Sequence, residues 1–497
     1  MFLAYYTSSA KIHPETMYNL TMKLTKWLIL ILSFAFFFTM KSVNYDRYPL
    51  MGHLEEYAYA WTGIHLIESG IPKTWSPAGK FPTQDNVFSG KIVGYNTELN
   101  VDILSPWLDL PPLYGLLSGG AAHLYGVDKW SVLPASYMRL PALFFAFATT
   151  IILFLLSKKL FGFWPAMLTT TIYSLTPLFV FGQRLSVAEN GITFFYILSV
   201  YLTLLFLEKQ RWYLLLFLPI AVGLAGLMKQ TGFLIVFFII FLLIKDRFWK
   251  EAAFVLFGIS WFVGLLFAYG GAVDWNLFLQ VSLNQSSRPI GFLGFPFLLS
   301  SPGYNIDFLY DGWYIFSLFA IVYLAITKFA DRRIQLVSLS FIFWAMVVVF
   351  SGGQTDVLLW YHYPFFPFLA IAASLLIIEI IKQPNLITSV LIIGLLLSGR
   401  SFLSNEFKPQ IEPMRFRLLI SLLVSPAILF FLFKKTVFQK LTRIVLVGVI
   451  ITGLFLNSQV IYSAFPIASE SKSYPYGPGT FLSGAYLPFF WRFLLIQ

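Results

Sequence analysis

The sequence predicts an all-α, polytopic membrane protein with about thirteen transmembrane helices and interfacial helices in its external loops. Three observations carry this expectation. Of 497 residues, 58% are hydrophobic and only 11% are charged, with a mean hydropathy of +0.75, too little polar character to cover a soluble chain of this length. Apolar runs of about 14 to 21 residues recur along the whole chain. Lysines and arginines gather in the short turns of one face, as cytoplasmic turns do.

Taken in order, the first span is 24–40, entered past Lys23 and Lys26. It lacks a small-residue cleavage site and reads as a retained anchor rather than a signal peptide. A long external loop, 41–137, precedes spans at 138–156, 163–182, 191–207, 212–228, 231–244 and 251–271. After a second external loop come 313–327, 334–351, 361–381, 386–399, 417–433 and 444–460. The odd number places the N-terminus in the cytoplasm and the C-terminus outside. The stretch 212–244 is too long for one span, and Arg211 and Lys245 both belong in the cytoplasm. It is therefore a hairpin that turns outside at Lys229-Gln230-Thr231-Gly232. Residues 1–460 make one membrane domain and 461–497 a short external tail.

Two stretches of the first loop read as interfacial helices, near 53–69 and 111–125. In HLEEYAYAWTGIHLIESGIP, Leu54, Ala58, Trp61 and His65 recur at helical spacing, and Gly70 with Pro72 ends the run. Pro111-Pro112 opens the second, since a proline at a helix start lacks only an N–H that would be unpaired there. Between them, 73–110 is rich in Pro, Gly, Asn and Asp and reads as irregular.

The net charge of +11 is explained by the basic turns, so no nucleic-acid partner is expected; the bilayer is the partner. Roughly 18 Lys/Arg fall in about 60 cytoplasmic residues, against roughly 16 in about 210 external ones. Acidic residues lie mostly outside, which is where chemistry is to be sought. With no cysteine, disulfides, thiolate metal sites and a cysteine nucleophile are excluded. No phosphate-binding glycine loop, HExxH, calcium loop or nucleophile elbow occurs.

Candidate residues follow from this layout. Glu55 and Glu56 open the first interfacial helix and point about 100° apart, so one can face a cavity while the other anchors the loop. They equally fit solvated loop charges. Lys229 is a cation at the external mouth of the bundle, or a side chain snorkelling to the interface. Glu189 sits on an external turn, where a helix N-terminus also favours a carboxylate. His362 lies among Trp360, Tyr361 and Tyr363 at a span end, where an aromatic belt is also expected.

These motifs together resemble the GT-C type integral membrane glycosyltransferases, in the branch of protein O-mannosyltransferases and aminoarabinose transferases. Glu55-Glu56-Tyr57-Ala58 through Glu68-Ser69-Gly70 is similar to the family's DExxYAxxAxxLxxSG. Pro111-Pro112-Leu113 through Leu124-Tyr125-Gly126 resembles its second interfacial helix, and Arg139-Leu140-Pro141 through Leu160-Phe161-Gly162 its RLPxxLF…LxxxLFG span. TPLFVFGQRLSVAENGITFF places Glu189 where an Asp is usual, GLAGLMKQTG supplies Lys229, and WYHYPFFPFLA resembles a later Y-x-x-P-x-x-P span. Glu55 likewise replaces an Asp, and Leu110 stands where a Lys or His often precedes the first Pro.

The resemblance implies transfer of a sugar from a polyprenyl-phosphate donor to an acceptor (protein, lipid or envelope glycan) at the external face. It makes Glu55 the base, Glu56 its orienting partner or an acceptor contact, and Glu189 a second acidic wall. Lys229, Arg288, Arg184 and His362 are the cations expected to neutralise the donor phosphate. Asp109 is either part of the acidic wall or a ligand for a divalent metal. A lipid-linked sugar flippase is the rival reading, although transporters more often place charges within spans and carry internal repeats.

Overall fold

The structure, a computed structural model, describes residues 14–46, 48–49, 55–75, 87–94, 97–126, 135–287, 311–351, 359–397 and 413–463. Arg288 and the predicted tail beyond Ser463 lie outside the described residues. The fold is helical throughout the membrane region. Among the described residues, eight helices are long and apolar enough to cross a bilayer, and four shorter apolar ones accompany them. A further crossing is broken in the middle, which keeps the bundle consistent with about thirteen spans.

The chain opens with α1 (Pro14–Ser42) and α2 (Glu55–Ser69). The predicted irregular stretch then differs from expectation. It contains a three-stranded antiparallel sheet, β1 (Thr74–Trp75), β2 (Val87–Gly94) and β3 (Thr97–Leu104), in the order β1-β3-β2. Val87 pairs with Leu104 at one end of the β2–β3 hairpin and Gly94 with Thr97 at the other. Its signal was present: Leu99, Val101 and Ile103 alternate with Glu98, Asn100 and Asp102, the period of a strand.

Next come α3 (Pro112–Leu124), the single turn α4 (Ala135–Met138), and α5 (Leu140–Phe161). The broken crossing is α6 (Phe163–Leu175) followed by α7 (Pro177–Arg184). Thr176 is extended (ψ 118°) because Pro177 cannot donate into the preceding turn. Asp311 repairs the break by accepting the Leu178 N–H at 3.2 Å while its other oxygen caps Trp313 and Tyr314 at 3.0 and 3.1 Å. Every residue of α7 is buried.

Helices α8 (Ala188–Lys209), α9 (Trp212–Met228), a 3-10 turn (Gln230–Leu234) and α10 (Ile235–Lys245) follow. The predicted hairpin is present: Gly232 packs so tightly that a Cβ there would lie 2.3 Å from the Ala225 backbone of the preceding helix. Helix α11 (Trp249–Ser286) is interrupted at Asp274 (φ −164°, ψ 104°), whose carboxylate accepts the Leu277 N–H at 3.0 Å and starts a second segment where the sequence predicted loop. The chain ends with α12 (Gly312–Thr327), α13 (Arg332–Ser351), a 3-10 turn (Leu359–Phe365), α14 (Phe366–Lys382), α15 (Leu386–Leu397), α16 (Pro413–Phe433) and α17 (Thr436–Ser463). Phe366 to Ser374 are buried without interruption, so α14 is apolar on all sides and forms the bundle centre with α6, α8 and α12. Buried hydroxyls bond within the bundle, as Thr169 does with Ser374 at 2.7 Å.

The two interfacial helices are locked by glycine. A Cβ on Gly63 of α2 would sit 1.9 Å from the Gly115 carbonyl oxygen of α3, and one on Gly119 would sit 2.3 Å from the Ala60 oxygen. Backbone cannot yield as a side chain does, so Gly63→Ala must push α2 off α3. We expect it to destabilise the protein by about 1–3 kcal/mol or more, read as a lowered thermal midpoint. Gly120→Ala, whose Cβ would meet only Ile67 Cδ1 at 3.6 Å, is the tolerated control.

Candidate active site

Glu55 and Glu56 occupy the first turn of α2, where the helix dipole favours carboxylates. Their divergence on the helix gives them different cations, Arg139 for Glu56 and Lys229 for Glu55. Glu56 faces inward. Its Oε1 accepts the Arg139 Nε at 2.9 Å and the Ser186 N–H at 2.6 Å, and its Oε2 accepts Arg139 Nη2 at 2.8 Å. Arg139 is fully buried between α4 and α5 and also donates Nη1 to the carbonyls of Tyr45 and Pro49 at 2.8 and 3.0 Å. One guanidinium thus joins the α1–α2 link, the start of α2 and the α4–α5 corner.

Glu55 faces a different cluster. Its Oε1 lies 3.9 Å from Lys229 Nζ, and the same ammonium donates to Glu189 Oε1 at 2.5 Å. Lys229 reaches this point because it leaves the end of α9 in an extended conformation (φ −157°, ψ 139°). Its Nζ stands 4.3 Å from the centroid of the Tyr361 ring, a cation–π distance. Burial opposes its charge, but Glu189, Tyr361 and Glu55 outweigh that, and the ammonium is held above its ordinary pKa. Glu189 is 1% exposed, and its Oε2 has no hydrogen-bond partner. Tyr59, one turn along α2 from Glu55, is buried with an unpaired hydroxyl. Burial, then Glu55 and Glu189, push its pKa up, so it stays an O–H donor.

The structure therefore brings Glu55, Glu189 and Lys229 from three separate segments into one buried group. Two carboxylates sharing one ammonium leave a net negative site with lone pairs to accept a proton. Asp109 borders it: its carbonyl accepts Gln230 Nε2 at 3.1 Å, and its Oδ1 accepts the Gln285 amide. Other predicted residues are placed elsewhere. Arg184 is fully buried and donates to the carbonyls of Met40, Lys41 and Tyr48 at 2.7, 3.0 and 3.2 Å, which leaves no guanidinium face for a phosphate. His362 is sealed, 0% exposed, edge-on to Phe365 at a centroid distance of 5.3 Å, rather than standing open at a span mouth. Sequence reasoning gave no site role to Arg139, Tyr59, Tyr361 or Ser186. Tyr59 was findable as the i+4 neighbour of Glu55, and Arg139 as the polar member of an otherwise apolar motif.

Residues 109–269 match the family model for dolichyl-phosphate-mannose-protein mannosyltransferase. Two crystal structures of ArnT from Cupriavidus metallidurans are similar over most of both chains. The apo state has a TM-score of 0.53 at 15% identity, with 91% of this chain and 78% of that one covered. The state bound to undecaprenyl phosphate has a TM-score of 0.50 at 15% identity, covering 88% and 77%. The chain has the same overall fold as ArnT. No curated protein sequence matches it.

Within that fold the acidic group lies at one end of the bundle. Glu189 begins α8 and Lys229 ends α9, whereas Glu208 and Lys245 mark the opposite ends of α8 and α10, about 30 Å away along a helix of this length. Among the described residues no three His, Cys, Asp or Glu side chains gather as a metal site, and Asp109 accepts the Gln285 amide on its Oδ1.

The Arg139–Glu56 fork fixes the angle at which α2 presents Glu55. Arg139→Lys keeps the charge but loses the two parallel bonds. We expect activity to fall at least about tenfold while donor binding changes less, because a carboxylate displaced by even about 1 Å loses its reaction geometry. Steady-state rates with the donor-binding constant measured separately check this.

Proposed function

We propose that this chain is a glycosyltransferase that moves a sugar from a polyprenyl-phosphate donor to an acceptor hydroxyl or amine at the external membrane face. The observation that carries the reading is the meeting of Glu55 and Glu189 over the single buried ammonium of Lys229. The family-model match and the ArnT fold, seen in that protein with undecaprenyl phosphate, support the donor class. The position of the group, at the end of the bundle away from the basic turns, supports the external face.

In this reading Glu55 takes the proton of the acceptor as its heteroatom attacks the anomeric carbon. The bond from that carbon to the phosphate oxygen breaks, and the lipid phosphate leaves with the electron pair. Lys229, already held in its charged form, neutralises the leaving phosphate. Of the two carboxylates on Lys229, Glu55 stands farther off, at 3.9 Å against 2.5 Å for Glu189, so Lys229 can turn to the phosphate while Glu189 holds it. Glu189 keeps the ammonium in place through Oε1 and offers Oε2 to a sugar or acceptor hydroxyl. Tyr59 can donate to either substrate. Glu56 acts through Arg139 as an anchor. Arg288 stays a candidate phosphate contact outside the described residues.

Incubating purified protein in detergent with radiolabelled polyprenyl-phosphate sugars and membrane-extract acceptors tests the proposal. Labelled product without any membrane gradient is expected. Binding of the lipid with no product from any donor–acceptor pair would favour a flippase.

A further inference from the structure

The end of the bundle opposite the acidic group holds a cavity that the proposed reaction does not use. It measures about 370 Å³ and lies between the ends of α5, α8, α10 and the beginning of α13. Its walls are apolar, chiefly Val200, Leu204, Leu207, Leu242, Leu336 and Leu339. Its mouth is charged. Three of the four cations there have carboxylate partners: Lys159 pairs with Glu208, Arg332 with Asp246, and Arg333 with Asp331 at 2.8 Å. The fourth, Lys245, donates to the neutral amide oxygen of Gln335 and has no carboxylate partner among the described residues. The mouth therefore carries one positive charge in excess.

Its depth in the membrane is marked independently. Trp164, Trp212 and Trp249, 60%, 70% and 61% exposed, begin α6, α9 and α11 at this same end. Exposed tryptophans sit at headgroup level, where an indole keeps its ring in the apolar region and its N–H wet. A leucine-lined cleft just inside that level admits hydrocarbon rather than water, and the cation above it meets whatever head the hydrocarbon carries. We propose that this cavity is a binding site for one monoanionic phospholipid of the basic-side leaflet, with an acyl chain among the leucines and its phosphodiester on Lys245. One negative charge matches the one unpaired cation. A neutral phospholipid would bring a second cation beside Lys245, with no free carboxylate to receive it.

Native mass spectrometry of the full chain, released from detergent with phosphatidylglycerol or phosphatidylcholine at low salt, tests this. We expect one phosphatidylglycerol retained at concentrations where phosphatidylcholine is lost. Lys245→Gln should weaken that retention about fivefold, the equivalent of about 1 kcal/mol for one basic side chain near an anionic headgroup. It should leave phosphatidylcholine unchanged. Leu204→Trp, which fills the cleft, should abolish retention while Lys245 remains. Equal retention of the two lipids, or no effect of Lys245→Gln, would mean ordinary boundary lipid and overturn the site. A doubled mass that Leu204→Trp removes would assign the cleft to a second copy of the chain instead. Because Lys245 and Leu204 are remote from Glu55, none of these outcomes depends on whether the chain transfers sugar.

Discussion

Glu55→Gln is expected to reduce sugar transfer by about 100- to 10,000-fold, the range typical of losing a general base. The substitution removes one negative charge and keeps the size, so the Arg139–Glu56 fork that holds α2 is untouched. Lys229 also retains its shorter contact, to Glu189 at 2.5 Å, and folding should be little changed. The loss should therefore fall on kcat, with donor binding within a few-fold of the wild type. Single-turnover rates beside an equilibrium binding measurement separate the two. Wild-type rates in the Gln variant would remove Glu55 from the mechanism and leave Glu189 as the remaining base.

Lys229→Met should be the most damaging single change to stability. Lys229 is 8% exposed and holds Glu55 and Glu189, themselves 8% and 1% exposed. Removing one partner of a buried ionic group costs about 3–5 kcal/mol, because the charges left behind are uncompensated. A pH dependence absent from the wild-type group should also appear. In the wild type the Lys229 pKa is raised in the folded state, so its contribution is fully present below the ordinary value of 10.5 and is lost only as pH rises through the higher folded value. Stability from this group is therefore flat across neutral pH. In the Met variant Glu55 and Glu189 lose the ammonium they share, and protonating one relieves their repulsion, so its thermal midpoint should rise as pH falls from 8 towards 5. Unfolding scans at the two pH values check this. A variant whose midpoint does not rise between pH 8 and pH 5 would show that the two carboxylates have separated.

The membrane class, the order of the spans and the hairpin at Lys229 were legible because hydropathy and charge are local properties. A run of apolar residues must be buried in lipid whatever surrounds it, and Arg211 and Lys245 each choose a side without reference to a distant partner. The α2 helix with its paired carboxylates was legible for the same reason. The sheet at 87–104 was present in the alternation of Leu99, Val101 and Ile103, but a background of Gly, Asn and Asp obscured it. What no local pattern carries is which carboxylate meets which cation. Glu55 and Glu56 have the same chemistry and adjacent positions. Only the packing of α5 against α7 and the loop before α8 put Arg139 and the Ser186 N–H beside one of them, leaving the other to Lys229. Arg184, too, was plausible as a phosphate contact until three backbone carbonyls closed around it. The sequence by itself determined that this chain crosses a membrane many times, and it predicted most of its acids on one side. The tertiary structure decided which of those acids share a charge, because that depends on contacts between segments up to 174 positions apart, from Glu55 to Lys229.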